Sequence, residues 1–273
     1  MIRDVLALVD NAEQAAPFVQ AAVAFAQLHG AHLDVAALTS GPYLASELLP
    51  IGVAYVSDET LARDDNQKVD AVTALVADAD CPTAVFGLHD DIAWLAGDVR
   101  RSRQVADIIL IGSPAHWQTP WLRRRVIETS ILSSGTPTLI VPPERKLTAV
   151  RHAVLGWKPS PEANRAVHDL VRFSEPGARI DVVIAQESHR ERTESDGEEV
   201  RRHLTRHGFD VALHVIPTDG MSEAEVVHSF AMRSHADLLA IGGFGHSRVH
   251  EIVFGGVTRA LIADAAVPVM LSR

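Results

Sequence analysis

The chain repeats itself after about half its length, and this repeat restricts the possible folds more than any other feature. The segment from Val105 to Gly112 corresponds to the segment from His235 to Gly242, at an offset of 130 positions. The segment from Thr136 to Leu139 corresponds in the same way to Val267 to Met270. An internal duplication of this size predicts two domains. We place them at residues 1–145 and 146–273.

Each half alternates short apolar strands with helical segments. In the first half the predicted strands run from Val5–Val9 to Thr138–Val141, and in the second from Ala153–Trp157 to Pro268–Leu271. Near-continuous apolar strands separated by helices are typical of a parallel sheet that is covered on both faces. The sequence therefore predicts an α/β, Rossmann-like fold with two tandem open five-stranded parallel sheets.

The overall charge separates this chain from proteins that bind nucleic acid. The net charge is −10 over 273 residues, whereas a nucleic-acid binder needs a basic surface to neutralise phosphates. Two basic clusters, Arg100–Arg103 and Arg123–Arg125, are interpreted as solvated helix faces. We therefore expect no nucleic-acid partner.

The cysteine content and the apolar segments indicate the compartment. Cys81 is the single cysteine, so an internal disulfide and a multi-cysteine metal site are excluded. The first apolar run, Val5–Val9, is too short for a signal peptide, and no segment reaches transmembrane length. We expect a cytoplasmic protein with no membrane association.

A glycine-rich loop follows the fourth predicted strand of the second half. The strand Leu238–Ile241 leads into Gly242, Gly243 and Gly245, and Gly255-Gly256 opens a predicted helix. Glycines let the backbone approach a phosphate closely, and the free N–H groups of a first helical turn point towards it. The order of strand, glycine loop and helix therefore predicts an anion site.

The spacing of these glycines resembles the nucleotide motif of the universal stress protein family, Gly-x2-Gly-x9-Gly-[Ser/Thr]. Gly242, Gly245 and Gly255 fit the spacing, whereas Gly256 stands where the family has Ser or Thr. The resemblance covers the whole chain as a tandem pair. It implies a stress-response protein that binds ATP or another adenine nucleotide in its C-terminal domain, and it leaves open whether Mg²⁺ accompanies the nucleotide. Loss of the Ser/Thr hydroxyl removes one hydrogen bond to the phosphate.

The resemblance also implies further residues around the nucleotide. Lys158 occupies the slot at the end of the first strand where the family usually has an acid. It would meet a phosphate or remain a solvated surface lysine. Arg248, three positions after Gly245, would likewise reach a phosphate or lie on the surface. The residues that would line the nucleoside and phosphate pocket are Gly156, Val182, Ile241 and Val257.

The first half departs from the motif in the opposite way. It keeps the acid, Asp10, but Ala115 takes the second glycine slot, and the third falls at Arg124 or Arg125. We expect this half to bind no nucleotide through a family-type cradle and to serve as the partner domain. Family members pair through their last strands, which implies an intrachain pseudo-dimer that joins Thr138–Val141 to Val269–Leu271.

Other functions have weaker support. The sequence contains no P-loop, nucleophile elbow or dinucleotide fingerprint, so we expect no enzyme, with weak nucleotide hydrolysis as a remaining alternative. A second alternative is a nucleotide-free module that binds an unidentified protein partner or a second copy of the chain. The histidine pairs at 203 and 207 and at 246 and 250 each have helical spacing, but no further ligands complete a metal site. Asp107 and Asp237 share one position in the repeat, which suggests a structural role.

Overall fold

Ten strands form one open sheet in the computed structural model, which describes residues 2–40, 58–90, 105–143, 145–186, 195–243 and 265–273. The strands lie in the order β3-β2-β1-β4-β5-β10-β9-β6-β7-β8. They are β1 Asp4–Val9, β2 His32–Ser40, β3 Thr83–Asp90, β4 Ile108–Gly112, β5 Thr138–Val141, β6 Val150–Gly156, β7 Ser174–Gln186, β8 Asp210–Pro217, β9 Leu238–Gly242 and β10 Val269–Ser272. The described helices are α1 Ala16–His29, α2 Asp58–Val76, α3 Pro120–Ser133, α4 Pro161–Phe173, α5 Ser195–Arg206 and α6 Glu223–Arg233.

The two halves of the sheet meet at their last strands. Strands within each half pair in parallel, whereas β5 and β10 pair antiparallel, with Ile140 opposite Val269 and Leu139 opposite Met270. Each half therefore has the same internal strand order, and the predicted pairing of the last strands is confirmed. The α/β class and the open, mostly parallel sheet are confirmed as well.

Apolar side chains cover both faces of the sheet. On one face the core packs against α1, α2, α4 and α5, through residues such as Phe18, Val72 and Leu170. On the other face it packs against α3 and α6, through residues such as Ile127 and Val227. Burial on both faces explains why the central strands are apolar at nearly every position.

Short local signals set the ends of several helices. Ser160 accepts a hydrogen bond from the Ala163 N–H and begins α4, and Ser222 forms a capping box with Glu225 at the start of α6. Gly30 ends α1 in the left-handed conformation, at φ 58°. All three features can be recognised in the sequence. It does not predict the early start of β7 at Ser174, where Val150 pairs with Ser174 before a register shift.

Two aspartates occupy the same structural position in the two halves. The Asp107 carboxylate accepts hydrogen bonds from the N–H groups of Arg3 and Asp4, at 2.7 and 3.2 Å. The Asp237 carboxylate accepts the equivalent bonds from Arg151 and His152, both at 3.0 Å. Each aspartate thereby ties the start of the fourth strand of its half to the start of the first. This is the structural role that the repeat suggests.

A buried carboxylate joins three strands of the C-terminal half. Asp181 on β7 is fully buried and lies on the face covered by α6. Its oxygens accept hydrogen bonds from His152 Nε2 at 2.7 Å, His214 Nε2 at 2.9 Å and Arg179 Nη2 at 3.1 Å. These donors, His214 first, hold the pKa of Asp181 below its ordinary value despite burial, which acts in the opposite direction. The carboxylate is therefore ionised wherever the fold is intact at neutral pH.

We expect Asp181→Asn to lower the free energy of unfolding at pH 7 by about 3 kcal/mol, because it leaves buried donors without their charged acceptor. The pKa of Asp181 is lower in the folded than in the unfolded chain, so its stabilisation is complete above the unfolded pKa of about 3.9 and is lost as the pH falls below it. Urea unfolding at several pH values measures the difference between variant and wild type.

The matched control is Asp34→Asn in the N-terminal half. Asp34 pairs with Leu6 on β1, just as Asp181 pairs with Val154 on β6. The side chain of Asp34, however, is 19% exposed, and its Oδ1 lies 3.2 Å from His32 Nε2. Partly exposed pairs contribute about 1 kcal/mol or less. If Asp34→Asn lowered the free energy of unfolding as much as Asp181→Asn, burial would not explain the effect at Asp181.

Candidate nucleotide site

The carboxyl ends of β6 and β9 lie side by side in the C-terminal half. Gly156, near the end of β6, pairs with Ile241 on β9. A Cβ atom on Gly156 would lie 2.9 Å from Ile241 Cγ2 and 3.1 Å from Val227 Cγ1. The absence of a side chain therefore lets α6 pack close to this edge.

The end of β9 lies directly against the N-terminus of α4. A Cβ atom on Gly242 would lie 2.6 Å from the Ala163 backbone nitrogen and 2.7 Å from the Glu162 carbonyl carbon. Only glycine allows this approach, because the contacts are with backbone that cannot move independently. The next residue, Gly243, donates its N–H to the Ser272 carbonyl at 2.7 Å. The first glycine of the motif thus has a packing role in addition to any role in binding.

An ion pair and a further carboxylate lie at this edge. Lys158 Nζ donates to both carboxylate oxygens of Glu223, each at 3.0 Å, and the lysine side chain is 54% exposed. Glu162, in the first turn of α4, has a buried Oε2 with no hydrogen-bond partner among the described residues. The strand-end slot therefore carries an exposed ion pair, and an unsatisfied acceptor lies beside it.

The other residues predicted for the site fall into two groups. Val182 is fully buried in the core on the α4 side of the sheet, whereas Ile241 belongs to the core on the opposite, α6 side. The structure thus brings Gly156, Ile241, Gly242 and Lys158 to one edge and directs the Val182 side chain into the packed core. The remaining predicted residues lie outside the described residues: Gly245, Arg248, Gly255, Gly256 and Val257.

The equivalent edge of the N-terminal half is filled by its own chain. Asp10 is buried, and its carboxylate accepts hydrogen bonds from the N–H groups of Gln118 at 3.0 Å and Thr119 at 2.7 Å. Asn11 donates to Asp10 Oδ1 at 2.8 Å and to the His116 carbonyl at 3.1 Å. The acid at the end of β1 is thus engaged by the segment that stands in place of the glycine loop.

The side chains of His116 and Arg123 also occupy this edge of the N-terminal half. His116 lies in the 3₁₀ turn Pro114–His116, is buried against Phe18, and has a pKa lowered by burial and by Arg123. Arg123 is buried and donates its Nε–H to the Gly112 carbonyl at 2.8 Å, and burial lowers its pKa to about 10. His116, Phe18 and Arg123 thus pack directly around Gly112, at the end of β4.

The position of Arg123 corrects one sequence interpretation. The cluster Arg123–Arg125 does not form a solvated face, because Arg123 points inward, whereas Arg124 and Arg125 are exposed and pair with Glu128. Arg123 shares the buried face of α3 with Val126, Ile127 and Ser130. That helical periodicity is the signal from which its burial could have been predicted. The second basic cluster, Arg100–Arg103, lies outside the described residues.

The histidines do not form a recognisable metal centre in the described part of the chain. The rings of His203 and His207 share a helix face, with centroids 4.7 Å apart, and His168 approaches His203 at 5.8 Å. The pKa of His203 is lowered, first by burial and then by His207. Among the described residues, no group of three or more His, Cys, Asp or Glu side chains is arranged to hold a metal ion. The pair at 246 and 250 lies outside them.

These features define an open, doubly wound α/β protein with one self-filled strand edge and one edge that carries a glycine-rich loop. The Universal stress protein family model matches residues 143–273, so the C-terminal half of the chain carries a domain of this family. No curated protein sequence matches the chain. None of the helices within the described ranges combines the length and apolar character needed to cross a bilayer.

Solved structures share the fold at low sequence identity. A universal stress protein from Archaeoglobus fulgidus DSM 4304 is 14% identical, with a TM-score of 0.70 over 99% of this chain and 96% of its own. A putative universal stress protein from Pseudomonas aeruginosa UCBPP-PA14 is 13% identical, with a TM-score of 0.60 over 99% and 93%. Another match is a universal stress protein from Archaeoglobus fulgidus in complex with dAMP, which is 16% identical, with a TM-score of 0.34 over 52% of this chain and 98% of its own. The TM-score of this last comparison is too low for its ligand contacts to be transferred to this chain.

We expect Gly242→Ala to lower the free energy of unfolding by about 1–3 kcal/mol, because the new Cβ would overlap the backbone of α4. Gly243→Ala is the matched control, since its Cβ would first meet Ile131 Cγ2, the end of a side chain, at 2.9 Å. Urea unfolding of both variants measures the difference. An equal decrease in the free energy of unfolding of the two variants would show that the contact of Gly242 with the α4 backbone is not the cause.

Proposed function

We propose that the protein is a cytoplasmic stress-response regulator that binds ATP or a related adenine nucleotide, with or without Mg²⁺, at the carboxyl edge of its C-terminal half. The observation that carries this proposal is the match of residues 143–273 to the universal stress protein family together with the spacing of Gly242, Gly245 and Gly255 after β9. The residues proposed to contact the nucleotide are Gly156, Lys158, Val182, Ile241, Gly242, Gly245, Arg248, Gly255, Gly256 and Val257.

The described geometry supports an open site at this edge. The end of β9 abuts the first turn of α4, where the positive end of the helix dipole favours an anion. The unpaired Oε2 of Glu162 offers an acceptor to a hydroxyl or amino group of a nucleoside. The Lys158–Glu223 pair is exposed enough to open without a large loss of stability, which leaves Lys158 able to meet a phosphate.

A second candidate is a nucleotide-free module of the same fold that recruits a protein partner or a second copy of the chain. Gly256 favours it, because the hydroxyl that would bind a phosphate is missing, and so does the engagement of Lys158 by Glu223. In either case we propose a regulatory role without catalysis, since the sequence lacks the motifs of nucleotide hydrolases. Phosphate release from ATP by the wild type, measured against Gly245→Asp, tests this directly.

Isothermal titration with ATP and Mg²⁺ tests the nucleotide site. We expect the wild type to bind and Gly245→Asp to lose at least tenfold in affinity, because a carboxylate in the loop repels phosphate and occupies its space. Ala115→Asp is the matched control: it makes the same charge change in the equivalent slot of the first half, where Ala115 is exposed. We expect it to bind ATP like the wild type.

The two candidate functions give different results in this experiment. The absence of binding at millimolar ATP would remove the nucleotide proposal and favour the interaction module. Stoichiometric adenine nucleotide in protein purified from cells, identified by mass spectrometry, would remove the interaction module as the sole function.

A further inference from the structure

The joint between the two halves is asymmetric on the side of the sheet that carries α1 and α4. α4 belongs to the C-terminal half, but two of its arginines contact the N-terminal half. Arg165 Nη2 donates to the Gly135 carbonyl at 3.3 Å, and Arg172 Nη2 donates to Asp107 Oδ1 at 3.0 Å. These two contacts fasten α4 to the N-terminal half.

The pattern of burial places Leu28 of α1 in the position that Arg172 has in α4. The two helices bury positions of identical spacing, at an offset of 144 residues: Val19, Ala22, Val23, Phe25 and Ala26 in α1, and Ala163, Ala166, Val167, Asp169 and Leu170 in α4. The same offset relates Leu28 to Arg172. Towards the other half, α1 therefore carries an apolar side chain where α4 carries a guanidinium.

Asp237 repeats the carboxylate that receives this guanidinium in the other half. Oδ2 of Asp107 and Oδ2 of Asp237 each accept hydrogen bonds from two backbone N–H groups at the start of a first strand, so the two carboxylates are oriented alike. Oδ1 of Asp107 accepts from Arg172. Within the described ranges, no hydrogen bond or ion pair involves Oδ1 of Asp237. The C-terminal half thus has the same acceptor without the donor.

An open pocket of about 500 Å³ lies beside this carboxylate. It is lined by Ala24 and Leu28 of α1, by the connecting segment 147–149, and by Arg151 and Asp237. Sites for small ligands commonly have volumes of about 300–1,000 Å³. The pocket lies at the amino ends of β6 and β9, whereas the proposed nucleotide site lies at the carboxyl ends of these strands.

The walls of the pocket suit a cation on an apolar stem. Leu28 and Leu147 supply apolar surface, and Asp237 supplies the negative charge. Leu28 also belongs to the last turn of α1, where the negative end of the helix dipole favours a positive group. A guanidinium matches a carboxylate particularly well, because its planar N–H groups donate to both carboxylate oxygens or to one.

Arg151 also lines the pocket, and its counterpart in the other half shows how it coexists with a second guanidinium. That counterpart, Arg3, donates Nη1 to the Gly30 carbonyl at 3.1 Å. In the same half the guanidinium of Arg172 still pairs with Asp107. An arginine at this position is therefore compatible with a cation on the neighbouring aspartate, and it offers a donor to a ligand that also carries a carboxylate.

We propose that this pocket binds the guanidinium group of an arginine, either as the free amino acid or as a side chain of a partner peptide. The guanidinium donates to Asp237 Oδ1, as Arg172 does to Asp107 in the other half, and the aliphatic part of the ligand packs on Leu28 and Leu147. The site shares no residue with the proposed nucleotide site and does not depend on it.

The test is titration of the full chain with arginine and its analogues, followed by calorimetry and by the amide resonances of Arg151, His152 and Asp237. We expect L-arginine to bind with about millimolar affinity, because the pair is partly solvated, and to shift these resonances. L-Citrulline, which has nearly the same shape without the charge, should bind at least tenfold more weakly. Equal affinity for L-citrulline, or no binding of any arginine compound, would overturn the proposal.

N-acetyl-L-arginine amide distinguishes the two sources of the guanidinium, because it has the side chain of arginine without the charged ends of the free amino acid. Binding as tight as that of L-arginine would identify the side chain of a peptide as sufficient. Binding of L-arginine alone would identify the free amino acid as the ligand, with its carboxylate at Arg151.

Leu28→Arg gives α1 the side chain that α4 has at the equivalent position. We expect the new guanidinium to occupy Asp237 and to lower the affinity for L-arginine at least tenfold. Leu28→Met is the matched control, since it keeps an apolar side chain of similar volume and should bind L-arginine like the wild type. Leu28 is 48% exposed, so neither substitution disturbs the core. Unchanged binding in Leu28→Arg would contradict the proposed location.

Asp237→Asn removes the charge and keeps an acceptor for the two backbone N–H groups. We expect it to lose at least tenfold in affinity for L-arginine, whereas Asp107→Asn, the same change in the other half, should bind like the wild type. Equal losses in the two variants would overturn the assignment to Asp237. Gly245→Asp should lose ATP binding and keep L-arginine binding, so the failure of one proposal is distinguishable from the failure of the other.

Discussion

The antiparallel pairing of β5 with β10 is the contact on which the rest of the structure depends. Each half is a parallel sheet that ends in a short, mostly apolar strand, and such a strand would be an exposed, aggregation-prone edge in an isolated domain. Pairing Leu139 with Met270 buries both edges at once and joins two five-stranded sheets into one of ten strands. The duplication therefore covers both strand edges within one chain.

This pairing also fixes where the two halves can carry ligands. Because β5 and β10 run in opposite directions, the carboxyl ends of the first five strands and those of the last five lie at opposite edges of the sheet. The edge with Gly156 and Gly242 and the edge with Asp10 and Thr39 thus cannot share one ligand. Each half was free to change its edge without disturbing the other, which fits the self-filled loop of one half and the glycine-rich loop of the other.

The sequence predicts the fold well because its signals are local and occur twice. Apolar runs, the caps at Ser160 and Ser222 and the repeated aspartates are each visible within a few residues, and all have the predicted roles. The site is predicted less completely, because burial of a charged side chain depends on what packs over it. Arg123 and Asp65 are both buried through contacts with distant segments, and the sequence around them is that of an ordinary polar helix. The opposite directions of Val182 and Ile241 likewise follow from strand register rather than from motif spacing.

The residues that follow the first strand in each half, Asp10 and Lys158, have different physical environments. In the first half Asp10 is buried and bonded to two backbone N–H groups, so a ligand that used it would first have to break charge-assisted hydrogen bonds in a desolvated site. In the second half Lys158 and Glu223 form an exposed pair, which contributes about 1 kcal/mol or less and competes weakly with an incoming phosphate. The same repeated position therefore carries a buried, hydrogen-bonded carboxylate in one half and an exposed ion pair in the other.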